Sequence, residues 1–264
     1  RRGVIGDPEN LRAATLEDVR AFHAIYYRPD NATLIVVGDF ETPQADDWID
    51  RYFGEIPRPV GAIPRVTAFE PPQAGERRLR YPSPNAPLPA LHFAWHIPSA
   101  GDDDMPALDL IETLLGVGKS SRLYRALVYE HQLATSAWAG ADWSEQPGLF
   151  AVRAIASAGK DLAAVESLID AEMAALKERV VDASELQKAK TQLYASVVRS
   201  RATYTEMAQA FARSALVRGS AGLVDEELRR YAAVGAEQIR DVARRTFVAE
   251  NRTVIEYVPA SAQE

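Results

Sequence analysis

The 264 residues are 47% hydrophobic and 25% charged, with a formal net charge of −7, a pI of about 5.3 and no cysteine. That acidity argues against non-specific nucleic-acid binding, which needs Lys and Arg to neutralise phosphates. The lack of cysteine excludes disulfides, thiolate zinc sites and thiol nucleophiles. No apolar run approaches the roughly 18–20 residues of a membrane span. The opening RRGVIGDPENL reads as the middle of a longer protein, with no signal peptide.

In chain order, Thr15 is the expected N-cap of a helix to Tyr27, with Asp18 in the capping-box position. Pro29 helps stop it. ATLIVVG, residues 32–38, reads as a buried strand. Thr42 caps a second helix, with Pro43 in its first turn and Gly54 past its end. Prolines at 57, 59, 64, 71 and 72 are too many for a helix or central strand, so residues 56–74 read as an extended linker. Strands are predicted at 76–82, 89–98, 135–143 and 148–157, and a helix over Asp161–Arg179. Asp182 with Glu185 begins a long helix that ends near Gly219 and breaks near Ser200–Thr203. Helices and strands mix without strict alternation. The expectation is an α+β fold with helices packed on one face of a mainly antiparallel sheet.

The chain also repeats itself. LEDVRAFHAIYYRPDNATLIVV, from Leu16, aligns without gaps on AEQIRDVARRTFVAENRTVIEY, from Ala236, at a constant offset of 220 residues. Glu17/Glu237, Arg20/Arg240, Asn31/Asn251, Thr33/Thr253 and Ile35/Ile255 are identical pairs. Both copies read as an amphipathic helix, a turn and a β-branched strand. Residues 1–55 are therefore expected to be the end of one repeat and residues 75–264 a complete second one.

Several chemistries can be tested by spacing. Gly118-Lys119-Ser120 invites a phosphate-loop reading, but the first glycine of that motif would fall at 113, which is Thr113. The preceding ALDLIETLL is helical in its apolar spacing, so no strand leads into the loop. His92 and His96 lie about 13 Å apart along a predicted strand, by its ~3.3 Å rise, too far to share one zinc. His23 and His131 have no carboxylate motif nearby. Neither H-x-x-E-H nor G-x-S-x-G occurs. Asp102-Asp103-Asp104 reads as a solvated turn whose last residue caps the helix near Pro106.

FHAIYYRPDNATLIVVGDF, GVGKSSRLYRALVYEHQLA and NRTVIEYVP resemble the pitrilysin/insulinase-type zinc metallopeptidases, especially the bacterial, processing-peptidase-like branch. The resemblance covers nearly the whole chain. It implies two similar α+β halves of about 220 residues, joined by a linker and facing each other across a chamber for unfolded peptide. In that family zinc is held by H-x-x-E-H and a distant Glu in the first half, so no zinc ligand carries over to this chain. The expectation is a C-terminal, non-zinc-binding half of a zinc endopeptidase, inactive alone. Zinc would reside in the full-length parent and none on this chain.

The resemblance also assigns a glycine-rich, chamber-lining segment to Gly116–Gly118. Gly116, Gly118, Lys119, Ser120 and Arg122 then become candidate substrate-binding residues, because glycines admit a close backbone and the two cations suit carboxylates or carbonyls. The other reading of the segment is a plain helix–helix turn, with Gly116 as C-cap and Ser120 as the next N-cap. Many family members bind substrate through an Arg and a Tyr in a pattern like L-R-x-x-x-x-L-x-Y. Here LVYEHQLAT puts Val128 and Thr135 at those positions. The implied partners are the missing N-terminal half, a related subunit supplying Arg and Tyr, and a peptide substrate, with no nucleic acid and no membrane span. The alternative is a non-enzymatic structural or binding subunit related to the processing peptidases.

Overall fold

The computed structural model describes residues 6–68 and 70–260. The chain divides into two units, Arg1–Glu70 and Pro71–Glu264.

The first unit holds helices α1 (Pro8–Ala13), α2 (Leu16–Tyr26) and α3 (Thr42–Phe53). The capping box of α2 forms: Thr15 Oγ1 accepts from Asp18 N at 3.2 Å, and Asp18 Oδ2 accepts from Thr15 N at 2.9 Å. Helix α3 is capped one residue earlier than expected, at Glu41, so Thr42 and Pro43 both lie in its first turn. Residues 32–37 form no strand, and Leu34 and Val36 are exposed. The predicted strand fails because a strand exists only through a neighbour's N–H and C=O groups, and the described part of this unit supplies none. Arg28 is buried at the end of α2. Its Nε and Nη2 donate to the two Asp30 carboxylate oxygens at 2.7 Å, and its guanidinium also donates to the carbonyls of Pro59 and Gly61. This clamp ties the proline-rich stretch to the helix. The Arg28 hydrogen bonds hold the Asp30 carboxyl down at about 2.

The second unit is built on a five-stranded sheet, β1 (Arg77–Ser83), β2 (Ala90–Ile97), β3 (Ala134–Ala141), β4 (Gly148–Ala156) and β5 (Arg252–Pro259), in the order β1-β5-β2-β4-β3. All pairings are antiparallel except β1 with β5. Strand β2 alternates strictly: Leu91, Phe93, Trp95 and Ile97 are buried, while Ala90, His92, Ala94 and His96 face the other way and are half-buried. On the buried side, α4 (Met105–Gly116), α5 (Leu162–Glu178) and α9 (Ala236–Thr246) pack against the strands, and α6 (Ala183–Arg199) and α8 (Glu227–Ala233) pack against α4. Helix α4 is apolar almost all round because it is enclosed by strands and helices, which its sequence, MPALDLIETLLG, allows. The long helix anticipated after Asp182 is broken into α6 and α7 (Tyr204–Arg218), with a Thr203/Glu206 capping box starting α7 and left-handed Gly219 ending it. Asp104 does stand at the N-cap of α4, but its side chain makes no cap bond. Its carboxylate is taken by Arg245 Nη2 at 2.9 Å.

The internal repeat is structural. Helices α2 and α9 begin and end 220 residues apart, as do the 3-10 turns Pro29–Asn31 and Ala249–Asn251. Asn31 Nδ2 donates to Tyr26 O at 2.8 Å, and Asn251 Nδ2 to Thr246 O at 3.0 Å. The copies differ in what surrounds them. Ile239, Val242, Phe247 and Val254 are buried, whereas Val19, Phe22, Tyr27 and Leu34 at the matching positions are exposed. Asn251 also exchanges two hydrogen bonds with the His96 backbone, tying the turn to β2.

Candidate substrate-facing site

The loop after α4 is positioned by close packing. A Cβ on Gly116 would run into the backbone of Ala139 on β3, so only glycine lets the helix end sit against the strand. Val117, not Gly116, is the C-cap, and Gly118 takes the left-handed turn at φ 78°. The hydroxyl that closes the turn belongs to Ser121, donating to Gly118 O at 2.8 Å, rather than to Ser120. Ser120 instead receives the Lys188 ammonium at its carbonyl and hydroxyl. Arg122 is half-buried in a two-point pair with Glu185, at 2.8 and 2.6 Å, and this bond holds the Glu185 carboxyl below its usual range. Gly118, Lys119 and Ser120 stay exposed. Of the five candidates, then, three form an open loop and two, Gly116 and Arg122, fix its ends.

Beyond the loop the chain winds as a π-helix, Tyr124–Glu130. Such turns interrupt the regular ladder and gather at functional sites. Val128 lies in it, partly buried against the core. Thr135 sits at an irregularity in β3, and its hydroxyl donates to Ile155 O at 3.3 Å. Neither side chain is a donor available to a ligand.

The sheet face turned away from the helices is the larger feature. Register places Leu79, Ile255, His92, Arg153 and Trp138 in one row across all five strands, and Tyr81, Tyr257, Ala90, Ile155 and Ser136 in the next. Trp138 lies flat over Gly140, where a Cβ would strike its ring. The Arg153 guanidinium stands 5.3 Å from the Trp138 ring centre, and Tyr81 meets Tyr257 edge-on at 5.7 Å. An open groove of about 670 Å³ runs between these side chains. Burial, and then Arg153, push the His92 imidazole below its ordinary value. Sequence reading assigned His92 no role and did not single out Trp138 or Arg153. Alternation along the strands was the signal, since every second residue faces one way.

On the helical side, Asp109 is buried. Its Oδ1 accepts from Trp143 Nε1 and its Oδ2 from Tyr231 OH, both at 2.9 Å. Desolvation raises its carboxyl to about 7 despite those donors. Among the described residues no three His, Asp or Glu side chains gather as a metal ion would need. The described residues do not fit a zinc site.

Residues 13–193 match the model of the "Peptidase M16 inactive domain". The chain is 27% identical over 252 residues to the zinc protease PqqE of Helicobacter pylori, covering 95% of this chain and 56% of that protein. It superposes on the crystal structure of a protease from Helicobacter pylori with a TM-score of 0.88 at 25% identity, covering 97% of this chain and 62% of the other. It also matches the crystal structure of the "inactive peptidase domain of a putative zinc protease" from Bordetella parapertussis at a TM-score of 0.59 and 26% identity, over 67% of this chain and 96% of that one. The chain thus spans a little over half the length of PqqE.

Proposed function

The chain belongs to the peptidase M16 inactive-domain family, and from that premise we propose that it is the non-catalytic, C-terminal half of a zinc-dependent endopeptidase acting on unfolded peptide. In this reading residues 75–264 are the complete second repeat and one wall of the substrate chamber, residues 56–74 are the linker, and residues 1–55 are the end of the first repeat. The observation that carries the reading is the one-sided sheet. Helices cover one face, and the other presents aromatic and aliphatic side chains that an extended chain can lie against. The exposed Gly118-Lys119-Ser120 loop, anchored by Gly116 and Arg122, is a second substrate contact.

Zinc belongs to the parent protein's other half. The reaction also needs donors for the oxygen that becomes negative as the peptide carbonyl is attacked, and one such donor is typically worth a few kcal/mol. Val128 and Thr135 offer none, which supports the requirement for a related subunit carrying Arg and Tyr there.

The test is an assay of a flexible fluorogenic peptide with this chain, with the full-length parent, and with the parent plus its Arg/Tyr-bearing relative. Cleavage is expected only in the last. Tight stoichiometric zinc and cleavage by this chain alone would refute the reading. Zinc-free parent that stays inactive in every combination would favour the non-enzymatic binding subunit instead.

A further inference from the structure

We infer that the bare sheet face selects extended peptide segments that carry an acidic side chain next to an apolar one, with Arg153 and Trp138 as the anchors. The inference rests on the proposed reading of this face as a peptide-facing wall. It names what that wall prefers.

Charge is sorted between the two sides of the sheet. Glu76, Glu166, Asp170 and Glu256 cluster around Arg78 and Arg252, whose register neighbours point toward the helices. The residues that register places on the bare side include Arg77, Arg153 and His92, and no aspartate or glutamate from any of the five strands. A chain of net charge −7 thus keeps carboxylates off the strand positions of this one face. Arg153 pairs with no carboxylate among the described residues and lies over the Trp138 ring. A guanidinium over a ring spends none of its N–H groups on it, so they remain for a bidentate carboxylate. The ring beside it, held flat by Gly140, offers a rigid apolar surface at low entropy cost. Ala90 and Ser136, small residues in the adjacent row, leave the groove between Trp138 and Tyr257 open. A cationic peptide side chain would meet Arg77 and Arg153 with no strand carboxylate on this side, among the described residues, to relieve it, which penalises lysine-bearing segments.

The experiment uses the whole 264-residue chain and three fluorescein-labelled peptides of one extended, apolar-rich sequence. They differ only in having Glu, Gln or Lys at one central position. Anisotropy titrations to about 1 mM protein cover weak binding. The Glu peptide is expected to bind roughly fivefold more tightly than the Lys peptide, with Gln between, and the gap should shrink with added salt. Arg153→Gln should weaken the Glu peptide most and shrink the Glu-over-Lys gap to what Arg77 alone sustains, while Trp138→Ala should weaken all three. Circular dichroism of each variant establishes that it is folded. Should Arg153→Gln misfold, Arg153→Lys serves in its place, and it should reduce the ranking without abolishing it. Equal binding of the three peptides, or a preference for Lys, overturns the inference and leaves the chamber-wall reading standing. No binding of any peptide overturns both. Tighter binding of an oligothymidylate probe than of any peptide overturns the inference by assigning the face to stacked single strands.

Discussion

Asp109→Asn is expected to stabilise the second unit at alkaline pH and to do little in acid. The wild-type carboxyl sits at about 7 in the folded chain because burial disfavours its charge, with Glu112 and Glu227 adding smaller repulsions. Its unfolded value is near 3.9. A raised carboxyl means the native state still holds its proton where the unfolded chain has released it. The stability it contributes is full below about pH 4 and is lost as the pH climbs to about 7. Three units at about 1.4 kcal/mol each come to about 4 kcal/mol across that window. Asparagine never ionises. Its oxygen can accept from Trp143 Nε1, and its amide can donate to the Tyr231 oxygen, whose proton then turns to Glu227, now at 3.3 Å. Re-pairing these partners around a neutral amide costs about 1 kcal/mol at every pH. The variant should therefore exceed wild type by about 2–3 kcal/mol at pH 8, or roughly 4–12 °C in melting temperature for a chain of this size, and match it near pH 5. Urea unfolding at pH 5, 6, 7 and 8 for both proteins reads this directly. A constant difference at all four pH values, or one that grows toward acid, would show that Asp109 is not the buried, proton-holding group described.

Three further changes probe the scaffold. Gly116→Ala should destabilise by about 1–3 kcal/mol in urea unfolding, because its methyl must displace the β3 backbone; a neutral or stabilising result, as an exposed helical glycine would give, would refute the packing argument. Thr203→Ala should cost about 1 kcal/mol by removing the box that restarts the helix after the break, while Thr203→Ser should retain most of it. Arg28→Lys should raise hydrogen-exchange rates in residues 28–31 and leave those of the second unit unchanged, since lysine cannot reproduce the forked contact to Asp30 and two carbonyls; unchanged exchange at 28–31 would show that the clamp is not what holds that turn.

The elements that sequence exposed are those written in short-range chemistry. The four strands read between residues 76 and 157 alternate or cluster apolar residues, and all four formed. Thr15/Asp18 and Asp182 mark their helix starts by side chains alone. Residues 32–38 have the same β-branched character as β5 but no strand neighbours among the described residues, so a similar local signal gave opposite outcomes. The site was harder. Gly-Lys-Ser drew attention as a triplet, yet the tertiary contacts of Gly116 with Ala139 and Arg122 with Glu185 decided which parts of that loop are free. The row His92–Arg153–Trp138 joins three strands, and the pairing β2-β4-β3 that aligns them is not a local property of any of them. Asp109 lies in an ordinary helical pattern, and nothing in ALDLIETLL announces that its carboxyl ends between Trp143 and Tyr231.

The sheet order carries a consequence for how the protein is made. Among the described residues strand β1 pairs only with β5, and Arg77 finds Thr253 176 positions later in the chain. At about 5–20 residues per second of synthesis, β1 waits some 9–35 s before its partner exists. The same partner also lies beside β2, so the middle of the sheet stays open throughout. A lone strand in a crowded cytoplasm or translocation channel is a template for the wrong neighbour. The sequence RRLRYPS answers that hazard, with arginines at 77, 78 and 80 that repel a second copy and Pro82 that withholds a ladder donor. Those charges guard a nascent chain. Arg78 later pairs with Glu166 and Glu256 in the finished fold, so it is neutralising Arg77 and Arg80 that should show first as loss of yield, before any change in the folded protein.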